Sequence, residues 1–139
     1  MGQRRDHSRV RLTDFLPLTP AIVHILLALA DRERHGYGIM LEVERITQGA
    51  TRMGPGTLYG TIQRLQASRL IEESDARPDP ELDDERRRYY RLTARGRAVL
   101  RAETERLDAL VQQARRKGIV PLRRRSGRAA RRPAFSRPR

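Results

Sequence analysis

The sequence predicts a mainly α-helical domain with one small β-hairpin, and three observations lead to this fold class. Apolar residues recur at helical spacing in four segments, which is typical of amphipathic helices that share a core. Two short segments with strand character flank a polar stretch between the third and fourth of these helices, as in a hairpin with a long tip. Only 4% of the residues are aromatic, so the core is expected to be mostly Leu, Ile, Val and Ala.

The first predicted helix begins at Pro20, with Thr19 as its N-cap. Its core-facing stripe contains Ile22, Leu26 and Leu29, which recur at intervals of three and four residues. This pattern indicates a helix packed against the centre of the domain.

The next two helices follow after short connections. A charged turn at residues 31–34 leads to a helix that begins near Gly36 and is stopped by Gly49. The third helix is predicted over residues 55–68, and its buried side is expected to carry Leu58, Ile62 and Leu65. Three short helices joined in this way predict a compact helical bundle.

The hairpin and a long last helix complete the pattern. Residues 70–74 and 86–92 are the predicted strands, and residues 75–85 between them hold six acids and two prolines. Thr93 is the predicted N-cap of the last helix. Its apolar stripe contains Leu100, Leu107, Leu110, Val111 and Ala114.

These elements suggest four parts of the chain. Residues 1–18 would form an N-terminal arm, which could pack at a dimer interface, and residues 19–93 would form the helical domain with its hairpin. Residues 94–117 would form the last helix. Residues 118–139 contain eight arginines, three prolines and no acid, a composition that predicts a disordered tail.

The charge of the chain favours acidic partners such as nucleic acid. The net charge is +13, and Lys117 is the only lysine, so 29 of the 30 basic residues are arginines. Arginine suits contacts with phosphates and base edges, although a GC-rich coding bias would produce the same excess. The absence of cysteine excludes disulfides, thiol redox sensors, cysteine zinc fingers and cysteine nucleophiles.

A membrane or secretory role is not favoured. No apolar stretch reaches the ~18–20 residues that a membrane-spanning helix needs. Arginines before the apolar run at residues 21–30 superficially resemble a secretory signal, but His24 interrupts that run and its periodicity is helical. We therefore expect a cytoplasmic protein.

The predicted helices and hairpin contain three short motifs, His35-Gly36-Tyr37-Gly38, Gly54-Pro55-Gly56-Thr57-Leu58-Tyr59 and Arg88-Tyr89-Tyr90-Arg91-Leu92-Thr93, the last followed by Gly96. Together they resemble the motifs of the PadR family of bacterial transcriptional regulators, which have a winged helix-turn-helix fold. The likeness covers roughly residues 19–115. Gly54 replaces the usual serine, Gly60 replaces the usual proline and Arg69 replaces a common glycine.

This resemblance implies that the third helix is a recognition helix in the DNA major groove, with its first residues at the base edges. On the predicted helix, Thr57, Thr61 and Arg64 share the exposed side, and Gln63 flanks it. Arg and Gln can make two-point contacts with guanine and adenine. The resemblance also implies a phosphate contact from the hydroxyl of Tyr59, whereas the residue pattern alone equally allows a packing role.

The hairpin would be the wing, and the last helix a dimerisation helix. Arg86, Arg87 and Arg88 are placed to contact a phosphate or the minor groove, or else to form a solvated charged surface. The acids at 79, 81, 83 and 84 in the tip would oppose tight insertion. The apolar stripe of the last helix favours a symmetric dimer over a helix folded back on the first one, although Glu103 interrupts the stripe.

Catalysis and metal binding are not indicated. His24 and His35 lack the cysteines or carboxylates of a usual metal site, and His35 is expected to cap the second helix. No nucleophile elbow or glycine-rich phosphate loop is present in the sequence. We therefore expect no enzyme activity, metal or cofactor.

The resulting hypothesis is a homodimeric, sequence-specific repressor that binds double-stranded DNA at a palindromic operator. The resemblance implies release by a phenolic or other small hydrophobic effector. The alternatives are a protein–protein adaptor with the same fold and a nonspecific nucleic-acid binder that depends on the arginine-rich tail.

Overall fold

The computed structural model describes residues 11–75 and 87–121. After a short 3-10 turn at Leu12–Phe15, its elements are α1 Pro20–Ala28, β1 Arg34–His35, α2 Gly36–Ile46, α3 Pro55–Ala67, β2 Ile71–Ser74, β3 Tyr89–Leu92 and α4 Ala94–Arg116. The mainly helical class with a small sheet is therefore confirmed. The first ten residues, Arg86, the acids of the wing tip and residues 122–139 lie outside the described residues, and so do the predictions made for them.

The sheet has one more strand than the sequence predicted. Its order is β1-β3-β2 with antiparallel pairing, and the predicted charged turn continues into β1, where Arg34 pairs with Tyr90 and His35 with Tyr89. Arg34 is anchored because its Nε donates to the carbonyl of Ala28 at 2.8 Å. A two-residue strand has too few positions to show an alternation of apolar and polar residues, so it left no pattern to detect.

The core joins all four helices to the sheet. Its fully buried side chains come from every helix and from the residues leading into β2, and they include Ile25, Leu26, Ile39, Val43, Leu58, Ile62, Leu70 and Val99. Leu100 belongs to this cluster and is only 7% exposed, so its assignment to a dimer interface was wrong. The periodicity of α4 identified the apolar residue, but the side chain packs within its own domain.

The interruption of the α4 stripe at Glu103 has a structural explanation. Glu103 is fully buried, accepts a hydrogen bond from the backbone N–H of Leu18, and pairs with Arg106 at 2.6 Å. A buried carboxylate requires such partners because its desolvation is otherwise very costly. Glu103 therefore ties the segment before α1 to α4.

The start of α4 is fixed by a close approach to the end of α3. Thr93 caps the helix as predicted, because its Oγ1 accepts from the N–H of Gly96 at 2.9 Å. The same hydroxyl donates to the carbonyl of Arg69 at 2.6 Å. A Cβ added at Gly96 would overlap the carbonyl oxygen of Leu70, so only glycine fits there.

The contacts divide the chain into two units, with the boundary after Arg106. The second unit contains the last turns of α4. Leu107 and Val111 are each 37% exposed and Leu110 is 60% exposed, while Ala114 is partly buried. The last turns of α4 therefore present apolar side chains to solvent within the chain.

Candidate nucleic-acid interface

The exposed side of α3 is one part of the candidate interface. Leu58, Ile62 and Leu65 face the core as predicted, and the opposite side exposes Thr57, Gln63 and Arg64. Arg64 and Gln63 can each present two hydrogen-bonding groups to a base edge. The helix thus exposes side chains that are chemically able to contact base edges on the side away from the core.

Thr61 is not on this surface, and the prediction that it is exposed was wrong. Its side chain is buried at 3% exposure, and its hydroxyl donates to the carbonyl of Thr57 at 2.7 Å. The same oxygen lies 3.4 Å from Nη2 of Arg64. In α3 the position lies on the flank nearest the core, so Thr61 contacts Arg64 and is not one of the exposed side chains of the helix.

The beginning of α3 is bare. Pro55 lies in the first turn, and Gly54 precedes it without a side-chain cap. A Cβ added at Gly54, Gly56 or Gly60 would meet nothing within 4 Å. This end of the helix therefore allows a phosphate to approach its backbone amides, which favour negative charge.

The wing arginines differ in their surroundings. Arg87 and Arg88 lie just before β3, and Arg88 forms a loose pair with Glu73 at 3.9 Å. Arg91 is committed within the sheet, because its Nε donates to Glu72 at 2.8 Å. Among the wing cations that the structure describes, Arg87 and Arg88 immediately precede β3, whereas Arg91 lies within it.

A cleft lies between α2, α3 and the wing, and we call it the wing cleft. Its volume is about 240 Å³, and it is lined by His35, Gly36, Tyr37, Tyr59, Arg87, Arg88 and Tyr90. Tyr37 and Tyr59 are 56% and 47% exposed. The cleft thus combines aromatic rings, hydroxyl groups and cations at the start of two helices.

Gly36 allows Tyr59 to lie over the start of α2. A Cβ at this position would lie 2.7 Å from the hydroxyl of Tyr59 and 2.9 Å from its ring. This contact joins two of the motifs noted above, which are far apart in sequence. It keeps the hydroxyl at the edge of the cleft, in a position that allows either a phosphate contact or a packing role.

Tyr90 remains a neutral phenol in this cleft. Burial raises the pKa of Tyr90, and the negative charge of Glu73 raises it further. The neutral hydroxyl is able both to donate and to accept a hydrogen bond.

The two histidines have different surroundings. His35 caps α2 as predicted, because its Nδ1 accepts from the N–H of Gly38 at 3.0 Å. The Nδ1 of His24 is buried and has no hydrogen-bond partner among the described residues. Within residues 11–75 and 87–121, no group of three or more His, Cys, Asp or Glu is arranged to hold a metal ion.

Sequence reasoning missed Tyr37 and Tyr90 as members of a site. Both lie in the motifs noted above, but their meeting with Arg87 depends on how β3 pairs with β1. The aromatic residues beside the glycine of His35-Gly36-Tyr37 were the available signal.

Among the described helices, none is long and apolar enough to cross a membrane.

Comparison with known proteins identifies a family of transcriptional regulators. Residues 25–102 match the model of the transcriptional regulator PadR-like family. The transcriptional regulator Rv3488 of Mycobacterium tuberculosis is 38% identical over 91 residues, which cover 66% of this chain and 78% of that protein. An uncharacterised 37.1 kDa protein in transposon TN4556 of Streptomyces fradiae is 36% identical over 86 residues, but the chain spans only 22% of its length.

Solved structures show the same fold. A PadR-like transcriptional regulator from Bacillus cereus superimposes with a TM-score of 0.57 at 19% identity, with 69% of this chain and 88% of that chain covered. H. salinarum RosR gives a TM-score of 0.54 at 25% identity, covering 76% and 90% of the two chains. With a helical bundle, a three-stranded wing sheet and a match over more than half of its length, the chain belongs to the PadR family of DNA-binding transcriptional regulators, which are not enzymes.

Proposed function

We propose that the protein is a homodimeric repressor that recognises a palindromic operator and is released by a small effector. The observation that carries this proposal is the exposed side of α3, where Gln63 and Arg64 extend from a helix whose other side is fixed in the core. A recognition helix must be held rigidly for its side chains to discriminate between bases.

The wing would supply contacts that do not depend on sequence. Arg87 and Arg88 lie beside the start of α2, where a DNA backbone that crosses α3 would pass. Phosphate contacts of this kind position a protein on the duplex and account for much of its affinity. Arg86 would add to them, although it lies outside the described residues.

The dimer would form through the last turns of α4. Leu107, Leu110 and Val111 lie three and one residues apart on an exposed face, and Ala114 continues the stripe. An exposed stripe of this kind is buried when two copies pair about a two-fold axis. Two recognition helices related by such an axis would read an inverted repeat with half-sites about one helical turn apart.

The effector would be a phenolic or other hydrophobic small molecule, as in regulators of this family. The sequence contains no tryptophan, so aromatic contacts with an effector would have to come from tyrosine or phenylalanine. Release of the operator by such a compound would make the repressor ligand-responsive.

The test is binding to duplex DNA from the region upstream of the gene, compared with a scrambled duplex at two salt concentrations. Specific recognition predicts a preference of about 10³-fold or more that persists at the higher salt concentration. Equal binding to both duplexes, with collapse at higher salt, would contradict an operator in that region and would favour the nonspecific binder. No binding to either duplex would favour the adaptor.

A further inference from the structure

Arg64 differs from many arginines of this domain because no acid holds it. It lies on the exposed side of α3 and makes no ion pair within residues 11–75 and 87–121. Arg45 and Arg91, by contrast, are each bound by a glutamate. The described residues therefore leave the charge of Arg64 available to a partner outside the chain.

Thr61 holds one end of the Arg64 guanidinium. The hydroxyl of Thr61 donates its proton to the carbonyl of Thr57 at 2.7 Å, so its oxygen has only lone pairs left to offer Arg64. Nη2 of Arg64 donates to that oxygen at 3.4 Å. Because Thr61 is only 3% exposed and its branched side chain is restricted within a helix, the hydroxyl is a fixed acceptor.

This contact leaves most of the guanidinium open. Thr61 occupies one N–H of Nη2, and the described residues accept no hydrogen bond from Nε or Nη1. A long arginine side chain loses much rotamer freedom when it makes a two-point contact. A side chain that is already restricted before binding loses less, so the buried hydroxyl prepares Arg64 for such a contact.

We propose that Thr61 is a positioning residue for base recognition, because its hydroxyl orients Arg64 to bind one guanine in the major groove. Guanine presents O6 and N7, which both accept, whereas adenine presents one acceptor and one donor. A group that only donates therefore selects guanine. This inference rests on the proposed function and assigns a role in specificity to a residue that is itself buried.

Two substitutions of Thr61 separate positioning from packing. Thr61→Val keeps the branched shape but replaces the hydroxyl with a methyl group. Thr61→Ser keeps the hydroxyl but removes the buried methyl group. A packing role follows the methyl group and a positioning role follows the hydroxyl, while circular dichroism and urea unfolding report the fold and stability of each variant.

The binding experiment selects duplexes from a library with a randomised centre and sequences those that are bound. Wild type should enrich a motif containing one guanine whose preference over other bases disappears in Arg64→Ala. Thr61→Val should lower the preference for that guanine about 2- to 10-fold, which corresponds to the cost of immobilising one long side chain. Thr61→Ser should keep the preference, and the other positions of the motif should not change.

The double variant tests whether Thr61 acts through Arg64. Thr61→Val added to Arg64→Ala should cause no further loss, because the side chain that it positions is gone. A further loss would overturn the proposal. An equal loss at every position of the motif, or a loss in Thr61→Ser as large as that in Thr61→Val, would overturn it as well.

A second measurement does not need DNA. Nitrogen-15 relaxation of the arginine Nε–H groups in the full chain reports their order on the picosecond to nanosecond timescale. Arg64 should be more ordered than Arg101, an exposed arginine of α4, and should become as mobile as Arg101 in Thr61→Val. Equal mobility of the two arginines in wild type would overturn the positioning role.

The outcomes separate this inference from the proposed function. If wild type enriches no motif, the proposed sequence-specific recognition fails, and the guanine contact fails with it. If wild type enriches a motif that Thr61→Val leaves unchanged, the positioning role fails and the proposed function stands.

Discussion

At the scale of single residues, exposure decides which polar side chains of α3 are available to DNA. Thr57 and Arg64 are exposed as their spacing predicted. Thr61, by contrast, is buried, and its hydroxyl donates a hydrogen bond to a backbone carbonyl of the helix. Helical periodicity predicts angular position well, but the boundary between the buried and exposed sides depends on how deeply the helix is set into its neighbours.

Arg64→Ala should reduce the preference for the operator over scrambled duplex. A base contact by arginine contributes about 1–3 kcal/mol of discrimination, so we expect a loss of about 5- to 150-fold. Competition binding with both duplexes measures this change. Arg101→Gln serves as the control, and an equal loss with that variant would show that charge alone is responsible.

Gly96→Ala should destabilise the protein, because the added Cβ overlaps the carbonyl oxygen of Leu70. Overpacking of this kind costs about 1–3 kcal/mol, which urea unfolding would detect. Gly60→Ala is the matched control, since its Cβ meets nothing within 4 Å and helix propensity then favours alanine by up to about 1 kcal/mol. Similar effects at the two positions would contradict the close approach at Gly96.

At the scale of elements, α4 has two different roles along its length. Leu100 and Glu103 are buried within the domain, whereas Leu107 and Leu110 expose their side chains. The seven-residue spacing that linked Leu100 to Leu107 in the sequence therefore joins a core residue to a surface residue.

Leu110→Glu should dissociate the proposed dimer, because a charge would then be buried at the centre of the apolar stripe. Sedimentation equilibrium measures the mass in solution, and circular dichroism checks that the helices remain folded. Gln112→Glu adds the same charge at an exposed position off the stripe and should leave the dimer intact. A dimer that survives Leu110→Glu would place the interface elsewhere.

The charged residues of α2 predict a pH-dependent stability. The hydrogen bond from Arg45 lowers the pKa of Glu42, desolvation opposes this shift, and the charge of Arg34 adds to it. Because the pKa of the folded state is depressed, the stabilisation is present above the pKa of the unfolded chain and is lost as the pH falls through the folded value.

Glu42→Gln should therefore lower the free energy of unfolding at pH 7, and this deficit should shrink as the pH falls through the folded-state pKa of Glu42. Urea unfolding over a series of pH values measures this. Glu105→Gln, which removes an exposed carboxylate from α4, is the control. A deficit for Glu42→Gln that persists unchanged at low pH would argue against an ion-pair origin.

At the scale of the whole molecule, charge and specificity are separable. Residues 118–139 carry eight arginines and no acid, so their removal lowers the net charge from +13 to +5. Positive charge that is not placed against base edges increases affinity for any duplex and makes that affinity salt-dependent.

Deletion of residues 118–139 should weaken binding to operator and random duplex by similar factors and should leave their ratio unchanged. Fluorescence anisotropy at two salt concentrations measures both affinities. If the protein is instead a nonspecific binder that depends on the tail, the deletion would abolish most binding to every duplex. Loss of the operator preference alone would show that the tail takes part in recognition.

The sequence by itself determined the order of the four main helices, their caps at Thr19, His35 and Thr93, and the family. These features are local, since caps, helical periodicity and short motifs depend on residues close together in the chain. The wing strands were located approximately for the same reason.

Only the tertiary structure decided which residues meet. It buried Thr61, placed Leu100 in the core, added β1 to the sheet and brought His35 next to Arg87. Each of these outcomes depends on contacts between distant parts of the chain, and burial and strand pairing are set by the packing of whole elements. Such packing is difficult to predict from a single sequence, whereas helix starts and turns depend on neighbouring residues and can be predicted from them.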